Sequence, residues 1–185
     1  SLTGANMTLS PSPVLGNTLT VLRTKLTLAG SILGSASGRT RSSLDEVANL
    51  VFTADSGFNA TVNTVGIKFE GIAISTSAAF SVRLIDSQTG TDWTGAPANV
   101  TCTTGTNSCT ATFNFSPVQT ISQGSSKTVK IRVNSSGFQD VANNPDPMTM
   151  SIANAGDIHW GDGTTATGLT LESTVVPLKI GDLSY

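Results

Sequence analysis

Few side chains in this chain could do chemistry. His159 is its single imidazole, so any serine–histidine–aspartate relay would have to pass through it. It stands beside Trp160, two residues before Gly161-Asp162-Gly163, on a segment that reads as a strand. No Gly-x-Ser-x-Gly elbow and no phosphate-binding loop accompanies it. His159 therefore reads as a strand residue with a hydrogen-bonded ring. Glycoside hydrolysis needs two carboxylates at a fixed separation. The glutamates are Glu46, Glu70 and Glu172, and most aspartates sit in turn contexts where they cap backbone N–H groups. No catalytic residue is assigned, and the chain is expected not to be an enzyme.

Binding chemistry is represented slightly better. Asp140, Asn143, Asn144 and Asp146 place oxygen ligands on one loop, as calcium requires. Their spacing is not that of an EF-hand, and an Asx-rich turn is the plainer reading. Calcium is the one cofactor to consider, and no metal ligand is assigned. Cys102 and Cys109 flank the polar, turn-rich loop Thr103 to Ser108. Two strands joined by that loop would bring the sulfurs together, and a disulfide there suits an oxidising compartment. Free buried thiols are the alternative. Glycosylation sequons begin at Asn6, Asn59, Asn99, Asn114 and Asn134. Trp93 and Trp160 could form a platform for stacking sugars, although such residues more often cap a core.

The elements that would carry these groups are strands. In Ser126–Val133, Val129, Ile131 and Val133 alternate with Lys130 and Arg132, which is the period of a strand with one dry face. The same alternation puts Ala48, Leu50, Phe52 and Ala54 inward, then Val65, Ile67 and Phe69, then Phe80, Val82 and Leu84. Residues 98–103 and 109–115 form the cysteine hairpin, and Met148, Met150 and Ile152 alternate again. Residues 157–160 and 167–171 flank a Gly-Asp-Gly-Thr turn. A strand is also expected over Thr18 to Leu28, followed by a long loop from Gly30 to Ser43. The Ser43-Leu44-Asp45-Glu46 spacing is that of a capping box and suggests one helical turn. The final segment from Thr174 to Tyr185 is too apolar for a solvated tail. Roughly ten strands at short spacing give an all-β, two-sheet antiparallel sandwich.

Composition bounds the partners. Of 185 residues 38% are hydrophobic and only 12% charged, with net charge −2. No basic block exists, which argues against nucleic acid, and no apolar run approaches a membrane span. The sequence begins at Ser1 without a leader-like segment, as after removal of a signal peptide or after trimming.

The run Gly137-Phe138-Gln139-Asp140-Val141-Ala142-Asn143-Asn144-Pro145, after Ile131-Arg132-Val133, resembles bacterial immunoglobulin-like domains of surface-layer and other cell-surface proteins. Those domains follow a penultimate strand with Gly-hydrophobic-x-Asp-x-Ala-Gly-Asn-Pro; here Asn143 replaces the usual glycine. Residues 84–91 and 123–128 look like the same kind of domain, as found in small-genome, uncultivated bacteria. The resemblance implies an extracellular, structural, non-catalytic module with an immunoglobulin-like sandwich and extra terminal strands. The expected organisation is an N-terminal arm over 1–30, the sandwich over 31–155, and a C-terminal hairpin with tail strands over 156–185.

The arm decides the functional expectation. From Ser1 to Thr20 it carries no Lys, Arg, Asp or Glu, but it holds Leu2, Met7, Leu9, Val14, Leu15 and Leu19, with Val21 just beyond. An uncharged β-prone segment needs a sheet, and that sheet can belong to the next copy. Head-to-tail repetition makes an open filament. We therefore expect a secreted, cell-surface subunit of a filament or coat, a homopolymer of identical subunits joined by β-strand addition. The alternative is a monomeric adhesion or carbohydrate-binding module that meets surface glycans.

Overall fold

Alternation in the sequence becomes burial in the folded chain. Val129, Ile131 and Val133 are at most 1% exposed, while Lys130 and Arg132 on the opposite face converge on Glu46, at 2.8 and 2.6 Å. The computed structural model describes residues 21–71, 80–96, 98–103, 107–138, 147–163 and 167–185, with backbone alone at 99 and 101–103. The strands are β1 (Leu26–Ile32), β2 (Asp45–Ala54), β3 (Ala60–Glu70), β4 (Ser81–Asp86), β5 (Ala98–Thr103), β6 (Ser108–Ile121), β7 (Ser126–Val133), β8 (Pro147–Ile152), β9 (Ile158–Gly161), β10 (Leu169–Thr170) and β11 (Leu178–Ser184). No α-helix occurs among the described residues.

The fold is all-β, and its strand pairings are antiparallel. One group runs in the order β1-β2-β7-β4 and the other β5-β6-β3-β8-β11. They join where Ser81 and Val82 pair with Asn99 and Ala98. β9 pairs with the first half of β3 and with β10. Phe52, Leu50 and Ile131 from the first group and Phe69, Ile67, Met148, Met150 and Ile152 from the second lie in one buried apolar core. β3 keeps Ala60 and Val62 inward at its start and Val65, Ile67 and Phe69 inward at its end. That is feasible because the register shifts between Val62 and Thr64, an extra residue that resets the pleat.

Three segments differ from expectation. Among the described residues the first strand covers Leu26–Ile32 and residues 21–25 are irregular, so it crosses the anticipated boundary at residue 30 and belongs to the body; residues 18–20 of the strand expected over Thr18 to Leu28 lie outside the described residues. Residues 30–32, expected as the start of a loop, continue that strand. The helical turn expected at Ser43-Leu44-Asp45-Glu46 is absent, and β2 begins at Asp45 instead. Tertiary partners claim both acids. Asp45 accepts from Arg39 (2.5 Å) and from the Tyr185 hydroxyl (2.6 Å), and Glu46 accepts from Lys130 and Arg132.

β11 pairs with β8 on one side, from Leu178 against Ile152 to Ser184 against Pro147. Its other side meets β1. Ile180 lies against Gly30 and Ile32 against Gly181. Further on, the Ser184 N–H donates to the Ala36 carbonyl (2.8 Å) and the Arg39 N–H to the Ser184 carbonyl (3.1 Å). Numbers rise together along both chains, so they run side by side in the same direction. Each glycine gives room to the other strand's isoleucine. A Cβ at Gly30 would lie 2.9 Å from the Ile180 Cα, and one at Gly181 would lie 2.2 Å from the Ile32 Cγ2.

Candidate functional site

Backbone parity along β1 defines the site. The Asp55 N–H donates to the Lys25 carbonyl and the Leu33 N–H to the Val47 carbonyl. In an antiparallel ladder such residues face their partner and the intervening ones face away. Odd-numbered residues of β1 therefore bond to β2, whereas Leu26, Leu28, Gly30 and Ile32 direct N–H and C=O to the outer edge. From Gly30 onward β11 packs against β1, Ile180 on Gly30 and Gly181 on Ile32. Toward the start of β1 no described residue makes a backbone hydrogen bond to the outward groups of Leu26 and Leu28, although Thr24 and Leu26 are only 2% and 4% exposed.

Beside these residues lies a cleft of about 510 Å³. One wall is Leu22 to Leu28 and the other holds Leu171, Val175 and Leu178, with Trp160 between them. Trp160 is fixed by its indole N–H on the Thr170 carbonyl (3.2 Å). Val175, 48% exposed, is part of the lining. The charges at the rim are paired: Lys25 reaches Glu172 across the mouth at 3.3 Å. Asp55 accepts from the Gly57 N–H (2.8 Å) and the Thr24 hydroxyl (2.9 Å); these hydrogen bonds hold its carboxyl below the usual range. The cleft is thus a mostly apolar trough beside β1. Such a trough can accept an extended apolar peptide.

The residues singled out in the sequence fall in different places. Leu2, Met7, Leu9, Val14, Leu15 and Leu19 lie outside the described residues, and Val21 is 82% exposed. Asp140, Asn143, Asn144 and Asp146 also lie outside them, and the described residues contain no cluster of acids, histidines or cysteines suited to a metal. Cys102 and Cys109 are directly opposite in the β5–β6 register; Cys109 is buried, and the Cys102 side chain lies outside the described set. Asn114 is exposed and accepts from Thr64 (3.0 Å). Asn59 accepts from the Gln123 N–H and Asn134 from the Ser136 N–H. Asn6 and the Asn99 side chain are not described. His159 is exposed on β9.

The tryptophans do not make a sugar platform. Trp160 is 4% and Trp93 7% exposed, and Trp93 packs on Phe52 and Phe115 at centroid distances of 5.8 and 5.7 Å. The cleft itself escaped sequence reasoning, because its walls are separated by some 150 residues of chain. The clustering of Leu22, Leu26 and Leu28 was the available signal for one wall.

No family model matches this chain, and no curated protein does either. Among solved structures it is similar to AvmM, described as catalysing macrocyclization in alchivemycin A biosynthesis. That likeness has a TM-score of 0.38 and 9% identity over 89% of this chain and 84% of that one. It is too distant to bear on fold or activity.

Proposed function

We propose that this protein is a non-catalytic structural subunit of an extracellular filament or surface coat, assembled from identical copies by β-strand addition. The observation that carries the reading is the apolar cleft along β1, in a chain whose first 20 residues hold no charge. Each backbone hydrogen bond gained there contributes a net ~0.5–1.5 kcal/mol, and each buried Leu or Met adds ~1.5–3 kcal/mol. A few of each are enough for a persistent joint.

The body is read as immunoglobulin-like. Strand order supports this: β1-β2-β7-β4 and β3-β8-β11 reproduce the four-plus-three order of constant-type domains. The β5–β6 hairpin is then an insertion after the fourth strand, and β9–β10 an insertion before the last. The opposed positions of Cys102 and Cys109 support a disulfide, since directly paired antiparallel residues have Cα separations that a disulfide spans. A disulfide in turn supports secretion.

The test is size and shape. Purified protein should form concentration-dependent oligomers in sedimentation and filaments or sheets in negative stain. Deleting Ser1 to Ser12 should leave folded monomers. A single species of 18.9 kDa at all concentrations would refute the reading.

A further inference from the structure

We propose that Lys130 and Asn49 are the two halves of an intramolecular amide cross-link, formed by the folded chain itself, that ties β2 to β7. The inference needs neither the arm nor the polymer.

The register sets the pair. Asn49 is directly opposite Lys130 in the β2–β7 ladder. The Ala54 N–H donates to the Ser125 carbonyl, so even-numbered residues of this part of β2 bond to β7. Asn49 against Lys130 is therefore a non-hydrogen-bonded pair, where Cα atoms stand only about 4.5 Å apart and side chains are closest. Ala48 and Leu50 beside Asn49 are buried, as are Val129 and Ile131 beside Lys130. Both side chains of the pair thus rise from the outer face of the sheet.

The Asn49 Oδ1 is buried and accepts no hydrogen bond. Buried polar atoms are nearly always paired, and an exception calls for an explanation. Across its two ladders Asn49 faces Ser31 and Lys130, and Lys130 brings the amine. That amine is not loose in solvent: Glu46 holds Nζ at 2.8 Å, and the Lys130 side chain is 34% exposed. The other Glu46 oxygen takes Arg132 at 2.6 Å, which keeps the carboxylate over the same patch.

An amine, a carboxamide and a carboxylate gathered in this way can carry out transamidation. Lys130 Nζ, as the neutral amine, attacks Asn49 Cγ. The Nζ–Cγ bond forms, the Cγ–Nδ2 bond breaks, and Nδ2 leaves as ammonia. Glu46 takes the proton that Nζ gives up and passes it to the departing nitrogen. Nothing is oxidised and no co-reactant is consumed. An amine and an amide react slowly in water, but groups fixed on one scaffold gain effective molarities of about 10⁵–10⁸ M. One event per chain is enough.

The test is mass. The folded full-length protein is incubated in mildly alkaline buffer, then reduced and denatured. It should be lighter than its sequence by one ammonia, and a protease digest should contain a branched peptide joining the Lys130 and Asn49 segments. Lys130→Arg keeps a cation for Glu46 but removes the amine, and Asn49→Ala removes the carboxamide; each should keep its full mass. Both side chains lie on the outer face, so the fold should survive, and circular dichroism checks this. Glu46→Gln should slow the loss of ammonia without abolishing it. Chain incubated in denaturant should lose none. If the wild-type protein keeps its full mass, the cross-link is overturned. It is equally overturned if Lys130→Arg still loses ammonia, as it would were an asparagine closing on its own backbone. A branched peptide from a protein that stays monomeric supports the cross-link and refutes only the filament.

Discussion

Replacing Gly181 by alanine probes the contact between the first and last strands. The new Cβ would sit 2.2 Å from the Ile32 Cγ2, well inside any real contact, and 3.5 Å from its Cβ. Ile32 is β-branched and has one strongly preferred side-chain rotamer in many settings, so it yields only by changing rotamer or by moving β1. Overpacking of this kind costs about 1–3 kcal/mol. Against it stands a gain of about 0.4–1 kcal/mol, because alanine has a less flexible unfolded chain than glycine. The expected net loss is about 1–2 kcal/mol, or a Tm lower by roughly 2–8 °C at this size. Urea unfolding should show a lower midpoint at unchanged slope. Ile32→Ala removes the offending methyl, so the double variant should lose less than the sum of the two single variants. Gly30→Ala should also destabilise, and there no side-chain motion suffices, because the clash is with the Ile180 Cα at 2.9 Å. If Gly181→Ala is neutral or raises Tm, the strands do not approach as described.

Tyr185 is the single tyrosine, so phenolate absorbance reports it alone. Burial, then its hydrogen bond to Asp45, pushes its pKa up. The folded state thus prefers the neutral ring; stability is full below the unfolded value near 10 and is lost as pH rises above it. Tyr185→Phe should flatten that alkaline loss and cost about 1 kcal/mol at neutral pH, read from urea midpoints. Glu46 behaves in the opposite sense. Hydrogen bonds from Lys130 and Arg132 lower its pKa, so its contribution is present above the unfolded value and fades as pH falls through the folded one. Glu46→Gln should cost under about 1 kcal/mol at pH 7, less in high salt and nothing in strong acid. Intact mass under non-reducing conditions should be two hydrogens below that of the reduced chain, and reduction should destabilise by about 2–3 kcal/mol for so short a loop.

The sheet interior was legible wherever a strand is dry on one face and wet on the other. β7 and the inward sets of β2 and β4 follow directly from alternation, because a period of two has one physical solution beside a core. β1 was less legible. Gly30 and Ser31 look like loop residues in isolation, yet Gly30 is required by Ile180, some 150 positions away. Ser43 to Glu46 had helical spacing, but Asp45 pairs with Arg39 and Glu46 with Lys130 and Arg132, and these tertiary partners hold both acids in β2. The cleft carries no periodic signature at all. It lies between β1 and the chain leading into β11, and that meeting is a property of the assembled sheets.

β1 also sets how a polymer of this kind would carry tension. In the assembly proposed above the joining arm would be continuous with its first residues, and the cleft lies along the same strand. A pull arriving through a neighbour's arm would enter one strand and depart through it, loading the seven registered pairs with β2 lengthwise. Bonds in such a ladder must fail together, whereas bonds opened from an end fail one at a time. The apolar interior would stay out of the line of force, and a stretched fibre could keep every subunit folded.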